Sequence, residues 1–273
     1  MIPGMYLDVS MEQYHSGPGL SRSDLINILR SPAHYKLGED KEETAAMLLG
    51  EALHLKVLQP DIYAKRYFSL PTTFDGRTNA GKTLKAEIEA KGQTPLKAED
   101  AEHIDGMAKA LRSHKEIASI LSNGVPEVSI YWYDPRYPGI LLKCRLDWLN
   151  TKESIVLDLK STVDARPEQF VRIAYNFGYH VQAGHYLSGV SIATKAEHRR
   201  FMFGVVEKEP PYGVELYQAT QEFIAEGQKK QQEALAIYQN CADNDSWLGY
   251  TDTVKELGLP PWATKKNNVI FEG

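Results

Sequence analysis

Cysteines, long apolar runs and targeting segments are scarce or absent in this sequence. Its 273 residues include two cysteines, Cys144 and Cys241, which are too few for a disulfide framework or a four-thiolate metal site. No apolar stretch approaches the roughly 20 residues of a membrane-spanning helix. Residues 1–6 lack the basic start and apolar core of a signal peptide. We therefore expect a cytoplasmic protein without a membrane partner.

An excess of positive charge is also missing. The chain has 36 acidic residues against 31 Lys and Arg, which gives a formal net charge of −5. A basic footprint is the usual first sign of a nucleic-acid-binding protein. Any contact with DNA must therefore rely on local clusters of Lys and Arg, or on cations that acidic side chains hold.

Internal repeats, low-complexity tracts and long linkers are absent too. The length is sufficient for one large domain with a substantial core. We expect a single domain over residues 1–273, with its core at about 18–240. For the segment 241–273 two roles remain equal alternatives, docking on a neighbouring molecule and simple packing at the terminus.

The most informative stretch is a predicted β-hairpin. Two short apolar runs, each carrying one carboxylate, flank the polar residues 150–154. If the turn is centred between Lys152 and Glu153, then Asp147 and Asp158 oppose each other across the two strands. Like charges directly opposite each other are destabilising. A divalent cation between them would remove that cost.

Strand alternation adds a cation to this cluster. Asp158 and Lys160 are two residues apart and leave the same face, whereas Leu157 and Leu159 leave the other. Carboxylates, carbonyls and water suit magnesium or manganese. An ordinary surface ion pair is the alternative for an isolated Asp-x-Lys triplet, but Asp147 at the matching register favours a functional site.

A helix is predicted over Glu42–Leu58 by its broad apolar cover. Gly50 and His54 are four residues apart and share one face of that helix. A glycine inside a helix costs about 1 kcal/mol relative to alanine, so Gly50 predicts the close approach of another backbone. For His54 taken alone, a satisfied core histidine is the alternative to a metal ligand.

The polar region 61–100 contains a letter-for-letter match to a phosphate-binding loop, Gly76-x-x-x-x-Gly81-Lys82-Thr83. That motif requires a buried strand immediately before it, and residues 69–75 are a poor candidate. We expect a loop with cationic residues at 74–82 and keep a nucleotide-binding protein as a remote alternative.

The other predicted elements give the fold class. In chain order they are a helix capped by Ser21, a helix from Ser31-Pro32, a helix over Glu99–Leu121, strands over 128–133, 140–149 and 155–160, helices from Arg166-Pro167 and around 179–186, a strand over Phe201–Val206 and a helix over Thr220–Tyr238. Glu127, at the head of its strand, is either an outer member of the acidic cluster or a solvated strand end. This order predicts an α/β domain with a mixed central sheet flanked by helices.

Four motifs in this order resemble the PD-(D/E)xK nuclease superfamily and, within it, the RecB-like branch. They are Gly50-x-x-x-His54, Asp147, Asp158-Leu159-Lys160 and Gln182-x-x-x-Tyr186. Residues 20–25, Ser31-Pro32 and the stretch 178–183 are similar to RecE-type exonucleases, known as exodeoxyribonuclease VIII. Two departures are the Asp in place of the commoner Glu at position 158 and the absence of a literal Pro-Asp pair, since Leu146 precedes Asp147.

The resemblance implies roles for these residues. It assigns a catalytic Mg²⁺, for which Mn²⁺ substitutes, to His54, Asp147, Asp158 and the Leu159 carbonyl. It implies that Lys160 positions or activates the attacking water, and that Gln182 and Tyr186 orient the Lys160 region or touch the DNA backbone. Candidate DNA contacts are Ser21, Arg22, Arg77, Lys82, Arg145 and Thr162; for Arg22 a plain surface role is the alternative.

The resemblance also implies an activity and partners. RecE-type enzymes degrade one strand of linear duplex DNA from the 5′ end and leave a 3′ overhang. They form ring-shaped tetramers and act beside a RecT-like single-strand annealing protein in phages or prophages. One rival is a nuclease of other polarity acting on single strands, although such relatives use four cysteines for an iron–sulfur cluster, which we do not expect here. The other is a catalytically inactive DNA-end-binding or assembly module.

Overall fold

A six-stranded mixed sheet flanked by helices forms the centre of the computed structural model, which describes residues 1–38 and 44–259. The strands are β1 (Gly4–Tyr6), β2 (Tyr67–Ser69), β3 (Thr94–Leu96), β4 (Val125–Asp134), β5 (Tyr137–Asn150), β6 (Ile155–Thr162), β7 (Arg200–Glu207) and β8 (Val214–Gln218). The helices are α1 (Met11–Ser16), α2 (Arg22–Arg30), α3 (Pro32–Leu37), α4 (Ala45–Leu58), α5 (Pro60–Arg66), α6 (Asn79–Ala90), α7 (Ala98–Ser113), α8 (Lys115–Leu121), α9 (Pro167–Asn176), α10 (Tyr179–Thr194) and α11 (Gln221–Asn244).

The sheet order is β1-β4-β5-β6-β7-β8, and β2 pairs separately with β3. Neighbours in the large sheet are antiparallel except β6 and β7, which are parallel. A parallel pair needs a crossover connection, and α9 and α10 supply it. The predicted α/β fold with a mixed sheet is confirmed. The crossover also sets α10 against the strand that carries Asp158.

The β5–β6 hairpin has the predicted centre. Asn150 pairs with Ile155 and Trp148 with Leu157, so the turn is centred between Lys152 and Glu153. The backbone pairing of β5 with β6 ends at Trp148 and Leu157, one position before Asp147 and Asp158. There the Leu159 amide donates instead to Asp147 Oδ2, at 2.8 Å. A side chain thus replaces the next backbone partner of β6.

Side-chain alternation in β5 breaks beside Asp147. Leu146 and Leu149 are three residues apart, yet both lie in the core between the sheet and α2, α10 and α11. Trp148 and Leu157 lie in the opposite core, which α4, α7 and α8 cover. Because strand residues normally alternate between faces, this break lets the two faces of the sheet contribute different groups to one end of the hairpin.

Glycines mark where helices meet and where they do not. Gly184 on α10 faces α11, and a Cβ on Gly227 would overlap the His180 carbonyl oxygen. A Cβ on Gly50, by contrast, would meet no atom of residues 1–38 and 44–259 within 4 Å. Among these residues the prediction that another backbone approaches Gly50 is therefore wrong. The predicted start of that helix, at Glu42, lies outside the described residues.

The phosphate-loop pattern does not form a phosphate loop. Residues 79–82 belong to α6 instead of the predicted loop, and Thr78 is the N-cap of that helix. The Gly81 amide donates to Thr78 Oγ1 at 3.0 Å, so the cap occupies a donor that a phosphate would need. The preceding strand, β2, has three residues and pairs only with β3. This arrangement excludes the strand–loop–helix geometry that the motif requires.

Two helix boundaries differ from prediction. The helix expected over Glu99–Leu121 is divided at His114, whose extended backbone ends α7 and whose ring accepts from the Ile117 amide to cap α8. At the other end of the chain α11 continues to Asn244. The Trp247 ring then packs on Tyr35 and Tyr238, so the beginning of the predicted extension lies on the domain. Residues 260–273 lie outside the described part. Among residues 1–38 and 44–259 no helix has the length and apolar content to cross a membrane.

A matched pair of glycine substitutions tests the two packing environments. Gly227→Ala is expected to lower the free energy of unfolding by about 1–3 kcal/mol, because the added methyl group overpacks the α10–α11 contact. Gly50→Ala is expected to raise it by about 1 kcal/mol, because the helix gains propensity and meets no neighbour. Urea denaturation measures both. Destabilisation by Gly50→Ala would contradict the open space beside Gly50.

Candidate active site

His54 connects α4 to both strands of the hairpin. Its Nε2 lies 3.0 Å from the Leu159 carbonyl oxygen, and its Nδ1 lies 3.5 Å from Asp147 Oδ2. Because a carbonyl only accepts, Nε2 is the protonated nitrogen in this contact. His54, Asp147 and the Leu159 carbonyl are thus brought together as predicted. The His54 side chain is 26% exposed, so it is not a fully buried core histidine.

Glu127 is the fourth member of this group. One ligand atom each from Glu127, His54 and Asp147 lies within 4.8 Å of the others. Glu127 is buried and its backbone has a left-handed φ of +55°. Arg145 Nε donates to it at 2.6 Å. The alternative of a solvated strand end is therefore wrong. The register of β4 with β5 indicates this position for Glu127. Pro126 and Val128 pair with the residues on either side of Asp147, so Glu127 lies opposite Asp147.

Asp158 has different partners. Its side chain is 2% exposed and forms an ion pair with Lys160 Nζ. Gln182 Nε2, from α10, donates to its Oδ1 at 2.5 Å. The predicted facing pair of aspartates is thus correct for the backbone register, but the two carboxylates turn to different groups. The backbone of Leu159 links Asp147 to His54, since its N–H reaches Asp147 and its carbonyl reaches His54.

The carboxylates are crowded and poorly solvated. Burial raises the pKa of Asp147, and the Asp158 carboxylate adds to that shift, while His54 and Lys160 oppose it. Burial also raises the pKa of Glu127, with Asp147 adding and Arg145 opposing. A cation at this position would favour the charged form of both carboxylates.

Lys160 holds its proton firmly in this arrangement. Burial lowers its pKa, but the carboxylates of Asp158 and Asp147 outweigh burial, so the net pKa is raised. The Lys160 ammonium also lies 4.9 Å from the centre of the Tyr179 ring. A protonated lysine donates hydrogen bonds and offsets negative charge, but it does not accept a proton.

Gln182 and Tyr186 differ in their placement. Gln182 is buried and orients Asp158, not Lys160 itself. Tyr186 packs edge-to-face on Phe201 beside the larger core, and burial raises its pKa well above the ordinary value. This packing does not support a contact between Tyr186 and the DNA backbone. Tyr179, which belongs to the RecE-like stretch 178–183, is the tyrosine whose ring contacts the Lys160 ammonium.

The six predicted DNA contacts fall into two groups. Four have internal partners: the Ser21 hydroxyl donates to Asp24, Arg22 donates to the Phe177 carbonyl, Arg145 binds Glu127 and the Val9 carbonyl, and Thr162 donates to the Asp164 carbonyl. Arg77 and Lys82 are exposed, and Arg77 pairs with Asp75. The inward position of Arg145 and the burial of Thr162 do not support DNA contacts for these two residues.

Comparison with known proteins agrees with this fold. The family model of a PDDEXK-like domain of unknown function (DUF3799) matches residues 21–256. The chain belongs to this family. A search of curated protein sequences found no match. Among solved structures, the crystal structure of a protein described as "Putative exonuclease" from Eubacterium rectale aligns with a TM-score of 0.59 at 14% identity, over 96% of this chain and 99% of that one. The structure of SSO0001 aligns at a TM-score of 0.35 and 13% identity, over 84% and 82% of the two chains.

Membership of the PDDEXK-like family raises the question of a divalent metal. The carboxylates of Glu127 and Asp147, the His54 imidazole and the Leu159 carbonyl make an oxygen-rich donor set that suits Mg²⁺ or Mn²⁺. Asp158 Oδ2 is buried and has the Lys160 ion pair but no hydrogen bond of good geometry. These residues therefore fit a divalent cation. His54 and the Leu159 carbonyl would be among the groups that hold it.

Asp147→Asn tests the electrostatic cost of this site. The folded-state pKa of Asp147 is raised, so the wild type loses stability relative to the variant as pH rises from about 4, the unfolded value, through the folded value. In EDTA we expect the variant to melt at a higher temperature, with an advantage that grows with pH. Adding Mn²⁺ should raise the melting temperature of the wild type but not of the variant. Asp61→Asn, on α5, is the control, and an equal response to Mn²⁺ in wild type and Asp147→Asn would contradict the site.

Proposed function

We propose that this protein is a metal-dependent exodeoxyribonuclease that degrades linear double-stranded DNA from the 5′ end and leaves 3′ single-stranded overhangs. The observation that carries the proposal is the placement of His54 and Asp147 at the carbonyl and the N–H of Leu159, with the adjoining residues Asp158 and Lys160 paired to each other. The PDDEXK-like family supports a nuclease, and the RecE-like motifs support the polarity.

Each group has a separate task in this proposal. His54, Asp147, Asp158 and the Leu159 carbonyl would hold Mg²⁺, with Glu127 as a further carboxylate of the same cluster. When bound, the cation polarises the scissile phosphate and lowers the pKa of water. Lys160 carries a proton and lies in contact with Asp158, so it would orient the attacking water and offset charge on the phosphate without accepting a proton.

The surrounding residues position these groups. Gln182 fixes the Asp158 carboxylate from α10, and Arg145 fixes Glu127. Such partners restrict the orientation of a ligand, and their loss typically costs 10–100-fold in metal affinity or activity. The net charge of −5 is compatible with DNA as the substrate if a bound cation and local basic residues make the phosphate contacts.

The proposal extends to partners. A RecE-type enzyme that produces 3′ overhangs supplies the substrate of a single-strand annealing protein, so we propose a RecT-like partner and a ring-shaped tetramer for this chain as well. The motifs that carry the resemblance are the support for both. Release of nucleotides from one end of a linear duplex is the first property to measure.

Linear duplexes labelled at the 5′ or the 3′ end, with a covalently closed circle as control, test the activity. With Mg²⁺ the wild type should release the 5′ label as mononucleotide from the linear duplex alone, and EDTA should stop the release. Asp158→Asn should lower the rate by more than about 100-fold, since loss of a ligand exceeds the loss of a supporting partner. Asp164→Asn, a partly buried carboxylate paired with Arg166 outside the candidate site, should keep the wild-type rate. If the wild type binds DNA ends but cuts nothing with Mg²⁺ or with Mn²⁺, the chain is an inactive DNA-end-binding module.

Gln182→Met tests the positioning of Asp158. The substitution keeps the length of the side chain but removes the donor to Asp158 Oδ1. We expect the rate to fall by about 10–100-fold and the half-saturating Mg²⁺ concentration to rise. Gln169→Met, on α9, is the control. A fall in rate with an unchanged Mg²⁺ dependence would contradict an action through Asp158.

A further inference from the structure

Two aromatic rings at the end of α9 and in the turn that follows it are exposed beside the candidate active site. The side chains of Tyr175 and Phe177 are 66% and 62% exposed. Phe177 stacks on Tyr179, with ring centres 6.1 Å apart and an interplanar angle of 25°. The Lys160 ammonium lies 4.9 Å from the centre of the same Tyr179 ring. Phe177 and Lys160 therefore both contact Tyr179.

The fold holds these rings from beneath. Gly178, between Phe177 and Tyr179, has a left-handed φ of +65°, and a Cβ there would lie 2.7 Å from Ile26 Cδ1. Arg22 donates to the Phe177 carbonyl and lies 5.9 Å from the centre of the Tyr179 ring. These contacts fix the turn, so Phe177 is exposed in a defined position and not on a loose loop.

Tyr175 is held in a similar way. Its ring stacks on His180, with centres 5.2 Å apart and an interplanar angle of 15°. His180 is buried, and its Nδ1 has no hydrogen-bond partner in the described structure. Arg172, three residues before Tyr175 on the same exposed side of α9, adds a cation. Fixed aromatic rings with solvent-exposed surface next to cations are the combination that binds single-stranded nucleic acids.

We propose that Tyr175 and Phe177 form a stacking platform for unpaired nucleobases of the DNA strand whose phosphate lies at Lys160. The inference rests on the proposed function and deepens it. Stacking suits an enzyme that accepts any sequence, because every base has a π-face. An unpaired base is required, since bases inside a duplex present their faces only to one another.

The test compares two short single-stranded oligomers, one of thymidylate and one in which every base is replaced by an abasic unit. Binding is measured by fluorescence anisotropy with Mg²⁺ in the Asp158→Asn background, where cleavage is suppressed. The parent should bind the thymidylate oligomer at least about tenfold more tightly than the abasic one, since stacking contributes about 1–3 kcal/mol per base.

Phe177→Leu and Tyr175→Leu keep an apolar side chain but remove the ring. Each should reduce the ratio of the two dissociation constants by about fivefold or more, while the abasic oligomer binds as before. Val171→Ala, another exposed apolar residue of α9, should leave the ratio unchanged. A parent ratio near one, or an unchanged ratio in both leucine variants, overturns the platform. Reduced self-association or partner binding with an unchanged ratio assigns the patch to a protein instead and also overturns it.

The outcome is independent of the end-label assay. Cleavage of linear duplex together with an unchanged ratio would leave the nuclease in place and remove the platform. Loss of base discrimination in the leucine variants of a chain that cuts no DNA would retain the platform and remove the nuclease. Thermal melting of the variants checks that the exposed substitutions leave the fold intact.

Discussion

The backbone of Leu159 is the feature on which the candidate site depends. Its N–H donates to Asp147 and its carbonyl contacts His54, so one residue of β6 fixes groups from β5 and α4. The side chains of the residues on either side, Asp158 and Lys160, leave the face opposite to the Leu159 side chain and pair with each other. The backbone of β6 therefore positions Asp147 and His54, while its side chains supply Asp158 and Lys160. In a regular hairpin the N–H and carbonyl of this residue would pair with the backbone of the neighbouring strand and could not contact Asp147 and His54.

This dependence explains which parts of the site the sequence could predict. The hairpin centre follows from the two apolar runs and the polar turn, and Asn150 and Ile155 pair as expected. The direction of the carboxylates does not follow, because alternation in β5 breaks between Leu146 and Leu149. For Glu127 the sequence left two alternatives open, because its left-handed backbone occurs at a strand position where a pattern of period two does not predict the direction of the side chain.

Local patterns were least informative where tertiary packing decides the outcome. Gly50 has the spacing of a close helix contact, but its neighbourhood is open, whereas Gly184 and Gly227 form such a contact without any distinctive pattern. Gly81 matches a phosphate motif by letters, but the cap formed by Thr78 turns that stretch into the first turn of a helix. Both cases show that a glycine pattern predicts conformational freedom and not the partner that uses it.

The electrostatics of the site favour an active protein over an inactive module on the same fold. Burial raises the pKa of both Asp147 and Glu127, so in the absence of a cation their charged forms oppose folding at neutral pH. Neutral side chains of similar size would remove this cost and preserve the packing. A divalent cation held by these carboxylates would offset this cost, which is consistent with the proposed metal-dependent nuclease.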